Sequence, residues 1–406
     1  MKEEILSRFS AENILSVYKD KPVIKVLLGI RRSGKSYILK LIRQKLLERR
    51  ISKNRIVYID FEDFENYRFL SSKALYEYIK GRSRAAGHKR LHLLFDEIQE
   101  VADWEKCING LYSSESIDCD IYITGSNANL LSSELATYLS GRYVKIKIFP
   151  LSYSEFLQFL KKEDGTDSFM EFMKYGGFPG LRNMYGDEES MRSYIDGIYS
   201  SVILKDVIRR NEIRNTGLLE RIVLYLADNI GNIFSAKRIA DFMKSGGRSL
   251  GVETVYNDLD FLQQALFAYK VRRWDIKGKR LLETMEKYYI ADQGLRFCLL
   301  GFKDTAVNGL LENIVYLELL RRDYAVYIGK LGEYEIDFVA EKSGERLYIQ
   351  TAYMLSSEEA LRREYRPLQL IADNYPKLIL TMDDLPDSNT NGILRKNLRK
   401  WLMEKS

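Results

Sequence analysis

One short motif constrains the fold of this chain more than any other feature. Residues 29–36 read GIRRSGKS, which places two glycines, a lysine and a serine at fixed offsets. An apolar segment precedes the motif and a helical pattern follows it. The backbone N–H groups of such a loop, and of the helix that it opens, can point at a phosphate. We call residues 29–36 the phosphate loop, and its context predicts an α/β fold with a polyphosphate at one edge of the sheet.

Five apolar segments fit the strands of that sheet. They are nearly continuous in Val, Ile and Leu, as is typical of strands that are buried on both faces. Helical patterns separate most of them, and this alternation indicates a parallel sheet with helices on both faces. The predicted strands are 23–30, 55–61, 92–98, 120–126 and 143–149.

The phosphate loop predicts which residues hold a nucleotide. Lys35 is expected to reach the β- and γ-phosphates, and Ser36 is expected to bind Mg²⁺. The other loop residues contribute mainly through backbone groups. The predicted nucleotide-binding set is Gly29, Ile30, Arg31, Arg32, Ser33, Gly34, Lys35, Ser36 and Tyr37. The alternative is a glycine-rich turn with a solvated lysine.

Polar residues end two other predicted strands. Asp96 and Glu97 follow an apolar run, where Asp96 would position the metal and Glu97 would orient the attacking water. Thr124, Ser126 and Asn127 form the polar end of the next strand. One of them, Ser126 or Asn127 in preference to Thr124, could contact the γ-phosphate in a catalytic role. A helix N-cap is the alternative role for Ser126 and Asn127.

Three arginines are further candidates. Arg142 lies between a helical segment and the fifth strand, so it could reach the γ-phosphate of a neighbouring subunit. Its alternative role is to stabilise the C-terminus of the preceding helix. Arg31 and Arg32 either pair with the acids after the second strand or contact a neighbouring subunit. Those acids are Asp60, Glu62 and Asp63.

The charge and composition exclude several classes of protein. The net charge is only +6, but residues 1–150 carry 26 Lys and Arg against 19 Asp and Glu. This excess of basic residues fits polyphosphate binding in that part of the chain. Two histidines and three cysteines without metal-binding spacing argue against a His-rich metal site. No secretory signal or membrane-spanning run is evident, so a cytoplasmic protein is expected.

The pattern changes after residue 150. Residues 151–216 are mostly helical and are predicted to form a lid or linker. Residues 217–300 read as helix, turn, helix and hairpin, which indicates a winged helix. Residues 301–406 begin with a helix and continue with strands and two further helices. Four domains are therefore predicted, the first of them the nucleotide-binding core at 1–150.

The motifs together resemble a known family. The segments IKVLLGIRRSGKSYIL, FDEIQEVADWEKCINGL, YITGSNANLLSSELATYLSGR and GGFPG are similar to AAA-type ATPases of bacteria and archaea. The segments KYYIADQGLR, LENIVYLELLRR and EYEIDFVAE extend the resemblance over nearly the whole chain. It implies a five-stranded AAA core, a winged-helix middle and a restriction-nuclease-like C-terminal domain. It also implies ATP, with Mg²⁺, as the nucleotide.

The predicted winged helix gives a mixed indication of DNA binding. Its second helix, Leu250–Ala265, contains three acids and no Lys or Arg, which is a poor surface for phosphates. The wing at 267–280 is strongly basic and could contact a DNA backbone. Its basic residues are Lys270, Arg272, Arg273, Lys277, Lys279 and Arg280. A packing or oligomer-contact role is the alternative.

The C-terminal segment departs from the pattern of a nuclease. Such an enzyme needs an Asp followed by Glu-x-Lys on the next strand. Asp337 fits the first position, and Glu312 and Glu318 lie on the preceding helix. The second position reads Gln350-Thr351-Ala352, which supplies neither the carboxylate nor the lysine. A degenerate scaffold that binds a protein partner or nucleic acid is therefore expected.

The sequence leads to one main hypothesis and two alternatives. The main hypothesis is a Mg²⁺-dependent ATPase whose nucleotide state moves or switches the C-terminal modules, alone or as a homo-oligomer. A nucleotide-gated regulatory protein with little turnover is the first alternative. An ATP-dependent nuclease is the second, and the missing Glu-x-Lys pair counts against it.

Overall fold

The computed structural model describes residues 8–126, 139, 141–234 and 252–404. The chain forms two compact units, one of residues 1–148 with 264–266 and the other of 149–263 with 267–406. Within the described ranges, no helix is long and apolar enough to cross a membrane. The cytoplasmic location stays a prediction.

The first unit contains the five-stranded parallel sheet that the sequence predicts. The strands have the order β2-β3-β4-β1-β5, and every neighbouring pair is parallel. Because β4 lies between β3 and β1, the segments that follow these three strands meet at one edge. The strands are β1 (Ile24–Leu28), β2 (Ile56–Asp60), β3 (Leu91–Asp96), β4 (Cys119–Gly125) and β5 (Tyr143–Lys147).

Helices cover both faces of this sheet. Alternate residues of β1 enter different cores: Leu27 packs with α1 and α2, whereas Val26 packs with α3 and α4. This two-sided burial explains why the strands are apolar at almost every position. The described helices of this unit are α1 (Phe9–Tyr18), α2 (Lys35–Glu48), α3 (Ser72–Ala85) and α4 (Trp104–Tyr112).

After residue 148 the chain is first mostly helical. A π-helical segment at Val202–Arg209 continues helix α7. The described helices are α5 (Tyr153–Leu160), α6 (Thr166–Tyr175), α7 (Glu188–Ser201), α8 (Thr216–Asp228), α9 (Val252–Gln264), α10 (Gln293–Leu300), α11 (Val307–Arg321), α12 (Glu358–Gln369) and α13 (Leu398–Met403).

A mixed nine-stranded sheet forms the core of the second unit. Its order is β13-β14-β12-β11-β10-β9-β7-β8-β6. The strands are β6 (Ile233–Phe234), β7 (Ala268–Asp275), β8 (Arg280–Ile290), β9 (Ala325–Leu331), β10 (Tyr334–Lys342), β11 (Glu345–Ala352), β12 (Lys377–Thr381), β13 (Ser388–Thr390) and β14 (Ile393–Asn397).

The predicted wing is part of this sheet. Strand β7 pairs with β8 on one side and, through Arg273–Asp275, with β9 on the other. Strand β7 lies before the boundary predicted at residue 300 and β9 lies after it. Because these two strands pair, the predicted boundary divides one hydrogen-bonded sheet. One helix of the predicted winged helix, at 235–245, lies outside the described residues, so the winged helix stays a prediction.

Candidate functional site

The phosphate loop connects the carboxyl end of β1 to the first residue of α2. Gly34 is the N-cap of α2 and has φ 98°, a conformation that favours glycine. Gly29 has no room for a side chain, since a Cβ there would lie 2.0 Å from the carbonyl oxygen of Ile148 and 2.6 Å from Ser33 Oγ. The shape of the loop therefore requires both glycines. The first N–H groups of α2 lie at the C-terminal end of the loop.

The side chain of Lys35 folds back over the loop. Its Nζ donates hydrogen bonds to the carbonyl oxygens of Gly29 (2.9 Å) and Ile30 (3.3 Å). The same ammonium lies 3.8 Å from Oε1 of Glu97. Lys35 is 3% exposed, so this cation is held within the loop by neutral oxygens, with one carboxylate nearby.

Asp96, at the end of β3, lies beside the start of α2. Its carboxylate accepts a hydrogen bond from the Ser36 hydroxyl and one from Thr124 Oγ1 at 2.6 Å. Tyr58 donates to its other oxygen at 3.3 Å. Burial raises the pKa of Asp96 above its usual value, although the Thr124 and Ser36 hydrogen bonds oppose this shift. The two predicted metal ligands, Ser36 and Asp96, are thus in direct contact.

Glu97 leaves the strand in an unusual backbone conformation. Its φ is 51°, in the left-handed region that non-glycine residues seldom adopt. The backbone N–H of Glu97 donates to Thr124 Oγ1 at 2.9 Å, and its carboxylate accepts a hydrogen bond from Gln99. Such strain is typical of functional positions, where the neighbouring contacts hold it. The bend keeps the Glu97 carboxylate near Lys35.

The polar end of β4 lies between the loop and the two acids. Ser126 is 1% exposed and directly follows β4. Its position between β3 and β1 is the one that the sequence predicts. Asn127, the other candidate for contact with the γ-phosphate, lies outside the described residues. The catalytic roles of both stay predictions.

Arg142 lies at the opposite edge of the sheet. It precedes β5, whose first residue pairs with the first residue of β1, whereas the phosphate loop follows the last. Its guanidinium donates to Asn109 Oδ1 (2.6 Å) and Ser113 Oγ (3.0 Å) at the end of α4. Arg142 is therefore not near the nucleotide site of its own chain, and action on a neighbouring subunit stays a prediction.

The remaining loop residues divide by exposure. Arg31 Nη1 lies 3.2 Å from Glu62 Oε1, one of the acids that the sequence offers as its partner. Arg32 is exposed and has φ 67°. Ile30 is buried, and Tyr37 packs against the core beneath α2. These side chains do not converge on Lys35.

Three contributors to this site are not signalled by the motif. Thr124 bridges Asp96 and Glu97, and Gln99 contacts the Glu97 carboxylate. Arg8, just before α1, donates to the carbonyl oxygen of Ser33 at 2.9 Å. Thr124 already lies at the predicted polar end of the fourth strand, but the sequence around Arg8 and Gln99 carries no such signal.

The donor set fits a nucleotide with Mg²⁺. A hydroxyl and a carboxylate in contact, Ser36 and Asp96, are the hard oxygen ligands that Mg²⁺ prefers. The Ser33 hydroxyl is buried in the loop and has no hydrogen-bond partner among the described residues. A polyphosphate at the loop could satisfy such a group, and the start of α2 favours an anion.

The nuclease-like positions of the second unit form a different cluster. Asp337 Oδ2 accepts hydrogen bonds from the backbone and hydroxyl of Thr351, at 2.7 and 2.8 Å. Gln350 donates to Glu364 at 3.0 Å. Glu318 lies apart from these residues and pairs with Arg321 and Arg322.

A lysine from a distant strand joins this cluster. Lys287 of β8 lies 3.1 Å from Glu312 and 2.7 Å from Glu335, and it is 2% exposed. Tyr289 donates to Glu312 at 2.9 Å. The carboxylates here therefore surround an ammonium group of the chain itself.

Comparison with known proteins identifies the type of domain in the first unit. A family model described as an AAA domain matches residues 21–157, which include the phosphate loop and the Asp96–Glu97 pair. An uncharacterised protein of Haemophilus influenzae is 38% identical over 409 residues and covers 100% of both chains. The first unit therefore contains an AAA domain, and the chain belongs to one family with this Haemophilus influenzae protein.

Two further proteins are similar to this chain at lower identity. An uncharacterised protein of Methanocaldococcus jannaschii is 32% identical over 386 residues, which cover 89% of this chain and 82% of that protein. The solved Walker-type ATPase of Pyrococcus abyssi has a TM-score of 0.48 and 16% identity, covering 71% of this chain and 93% of that one. This structural likeness is too distant to indicate a function.

A middle segment of the chain, residues 166–306, matches a different model. This model describes a domain of unknown function, and nearly all of the matched residues belong to the second unit. Neither matching family model describes a nuclease or a winged helix. The prediction of a restriction-nuclease-like domain is therefore unsupported.

Proposed function

We propose that the first unit binds ATP with Mg²⁺ and hydrolyses its β–γ phosphoanhydride bond. The observation that carries this proposal is the convergence of Lys35, Ser36, Asp96 and Glu97 at one sheet edge. Ser36 contacts Asp96, and Lys35 lies 3.8 Å from Glu97. These four residue types supply the phosphate cation, the metal ligands and the base that phosphoryl transfer to water needs.

Each residue has a distinct task in this reaction. Lys35 exchanges its two carbonyl partners for phosphate oxygens, which carry more negative charge. Ser36 and Asp96 would hold Mg²⁺, and the ion would neutralise part of the phosphate charge. Glu97 accepts a hydrogen bond from the attacking water and orients it. Water adds to the γ-phosphorus, the bond to the β-phosphate oxygen breaks, and the products are ADP and phosphate.

Two variants test the proposal. Lys35→Ala removes the phosphate cation, so calorimetry should detect no ATP binding. Glu97→Gln keeps the shape of the side chain but not its basicity, so ATP should bind while phosphate release falls at least about 100-fold. Phosphate release by Glu97→Gln at the wild-type rate would show that Glu97 does not orient the water.

A second candidate function is a nucleotide-gated binding protein with little turnover. The contacts of Glu97 with Lys35 and Gln99 favour it, because a carboxylate with these partners is held away from a water. Steady-state phosphate release separates the two functions. If wild-type protein binds ATP but releases phosphate no faster than Glu97→Gln, the gated function replaces hydrolysis.

The proposal includes coupling of ATP to a partner through the second unit. The Glu97→Gln variant should trap the ATP-bound state, so a pull-down with this variant should enrich protein partners relative to Lys35→Ala. A nuclease function is less well supported because Gln350 and Ala352 replace the required residues. Plasmid should stay intact with Mg²⁺ and ATP.

The exposed part of the β7–β8 hairpin is the proposed contact with DNA. Arg273 is buried, and Lys270 pairs with Glu286, so these two basic residues do not offer free charge. Four others are exposed, and they are Arg272, Lys277, Lys279 and Arg280. Three of these residues, Lys277, Lys279 and Arg280, lie at the turn of the hairpin. Replacing all three with glutamate should weaken DNA binding and reduce its salt dependence, as measured by fluorescence anisotropy. Equal binding at every salt concentration would remove this contact.

A further inference from the structure

Arg8 contacts the phosphate loop through a backbone carbonyl oxygen. Its Nη1 donates to the carbonyl oxygen of Ser33 at 2.9 Å, and only 4% of the residue is exposed. A buried guanidinium hydrogen-bonded to one backbone carbonyl fixes the orientation of that peptide group. The Ser33 carbonyl belongs to the peptide that joins Ser33 to Gly34, at the start of α2.

The path of the chain places Arg8 beside the loop. Helix α1 packs on α2 through Ala11, Ile14 and Leu15. The helix has 10 residues and so is about 15 Å long. Strand β1 then returns over five residues, about 16 Å. The start of α1 therefore lies level with the carboxyl end of β1, where the phosphate loop begins.

The geometry of a peptide gives this contact a consequence. In a planar trans peptide the C=O and the following N–H point in opposite directions. A donor that holds the Ser33 carbonyl on one side therefore turns the Gly34 N–H to the other. That N–H is among those at the N-terminus of α2, which face an anion bound at the loop. The loop itself is closed by a bond from Ser33 N to Ile30 O at 3.1 Å.

We infer that Arg8 is a positioning residue for the phosphate loop. It holds the Ser33–Gly34 peptide in the orientation that presents the Gly34 N–H to a nucleoside di- or triphosphate. This inference rests on the proposed function. Arg8 is buried beneath the loop, so it acts through the peptide and does not itself touch the nucleotide.

Substitution at Arg8 should weaken nucleotide binding more than turnover. In Arg8→Met the Kd values of ATP and ADP should both rise about tenfold, since the missing orientation affects ground and transition states alike. The kcat should stay within about threefold of wild type. Arg8→Gln keeps an N–H donor without the charge, so it should recover part of the lost affinity.

A matched control separates positioning from general stability. Arg55 also donates to a backbone carbonyl, that of Arg90 at 2.9 Å, but at the opposite edge of the same sheet. Arg55→Met should lower the melting temperature without changing the Kd of ADP. Equal losses of affinity in Arg8→Met and Arg55→Met, or a change below twofold in Arg8→Met, would overturn the inference.

Hydrogen exchange provides a test that needs no nucleotide. The amides of residues 29–38 should exchange faster in Arg8→Met than in wild type, and Arg55→Met should leave them unchanged. Unchanged exchange in Arg8→Met would refute the positioning role. Failure of the proposed function gives a different result, because wild-type protein would then bind neither ATP nor ADP while the exchange difference persisted.

Discussion

Two lysines of this chain lie among carboxylates and carbonyls, and their surroundings differ in kind. Lys35 donates to two neutral carbonyl oxygens, and its nearest carboxylate, on Glu97, is 3.8 Å away. Lys287 lies within 3.1 Å of two carboxylates, those of Glu312 and Glu335. Both ammonium groups are buried, but Lys287 lies closer to its carboxylates than Lys35 lies to Glu97.

The difference indicates which lysine can change partners. A phosphate competes easily with the carbonyl oxygens around Lys35, because it carries a formal charge and they do not. Glu312, Asp337 and Glu335 raise the pKa of Lys287 despite its burial, so this lysine stays protonated and paired. The first cluster has the properties of a binding site, and the second has those of a buried structural ion network.

The comparison predicts opposite effects for the two lysines. Lys287→Met should lower the free energy of unfolding by about 3–5 kcal/mol, because the largely buried Glu312 and the partly exposed Glu335 would lose the buried cation that they share. Its ATP affinity should stay within about threefold of wild type. Lys35→Ala should lose ATP binding and lower the free energy of unfolding by less, about 1–3 kcal/mol, because it leaves two carbonyl oxygens without their donor. Urea unfolding and calorimetry measure the two quantities.

Lys270 provides the control for Lys287. It also pairs with a glutamate in the same hairpin, Glu286, but its side chain is 29% exposed against 3% for Lys287. Lys270→Met should therefore cost about 1 kcal/mol or less. If Lys287→Met unfolds at the same urea concentration as Lys270→Met, the second cluster does not stabilise the fold.

The second prediction concerns how the stability of the second unit depends on pH. Burial, with the neighbouring Glu312 carboxylate, raises the pKa of Asp337 to about 8. In the unfolded chain an aspartate has a pKa of about 3.9, so between these values only the folded state keeps the proton. The stabilisation is complete below about pH 4 and is lost as the pH rises to about 8. Stability should therefore fall by about 2–4 kcal/mol between pH 5 and 8.

Asp337→Asn tests the origin of that slope. Asparagine resembles the protonated acid and can keep accepting from Thr351, so the variant should be less sensitive to pH than wild type. Burial raises the pKa of Asp292 to about 7, so this residue causes a smaller loss of stability over the same pH range in both proteins. Urea midpoints at pH 5, 6.5 and 8 measure the difference. An identical slope in Asp337→Asn would contradict the assignment.

The sequence predicted the first unit well because its signals are local. The first four strands are largely buried runs. Asp96, Glu97 and Ser126 lie at the end of such a run or directly after it. In a parallel sheet the ends of adjacent strands meet, so the contact of Ser36 with Asp96 follows from topology. Arg142 precedes its strand and so lies at the other edge.

Contacts between distant segments were not predictable in the same way. Lys287 enters the cluster of Asp337 because β8 and β10 belong to one sheet, and no local pattern shows that pairing. The first two of the three glycines in GGFPG, Gly176 and Gly177, lie against the carboxylate of Asp292. It accepts from Gly177 N at 2.7 Å, and a Cβ on Gly176 would lie 1.7 Å from it. Only the folded chain reveals such partners.

The smallest predicted effect concerns the arginines of the phosphate loop. Arg31 pairs with Glu62, whose side chain is 42% exposed, so the pair contributes about 0–1 kcal/mol to stability. Arg31→Ala and Arg32→Ala should each leave phosphate release within about twofold of wild type, since backbone groups form the cradle. The assay should cover a 100-fold range of protein concentration, because a contact between subunits would reveal itself as a loss that grows on dilution. Such a loss would indicate that these arginines contact a neighbouring subunit. The phosphate loop would then depend on residues outside its own chain, whereas Lys287 depends on distant residues of the same chain.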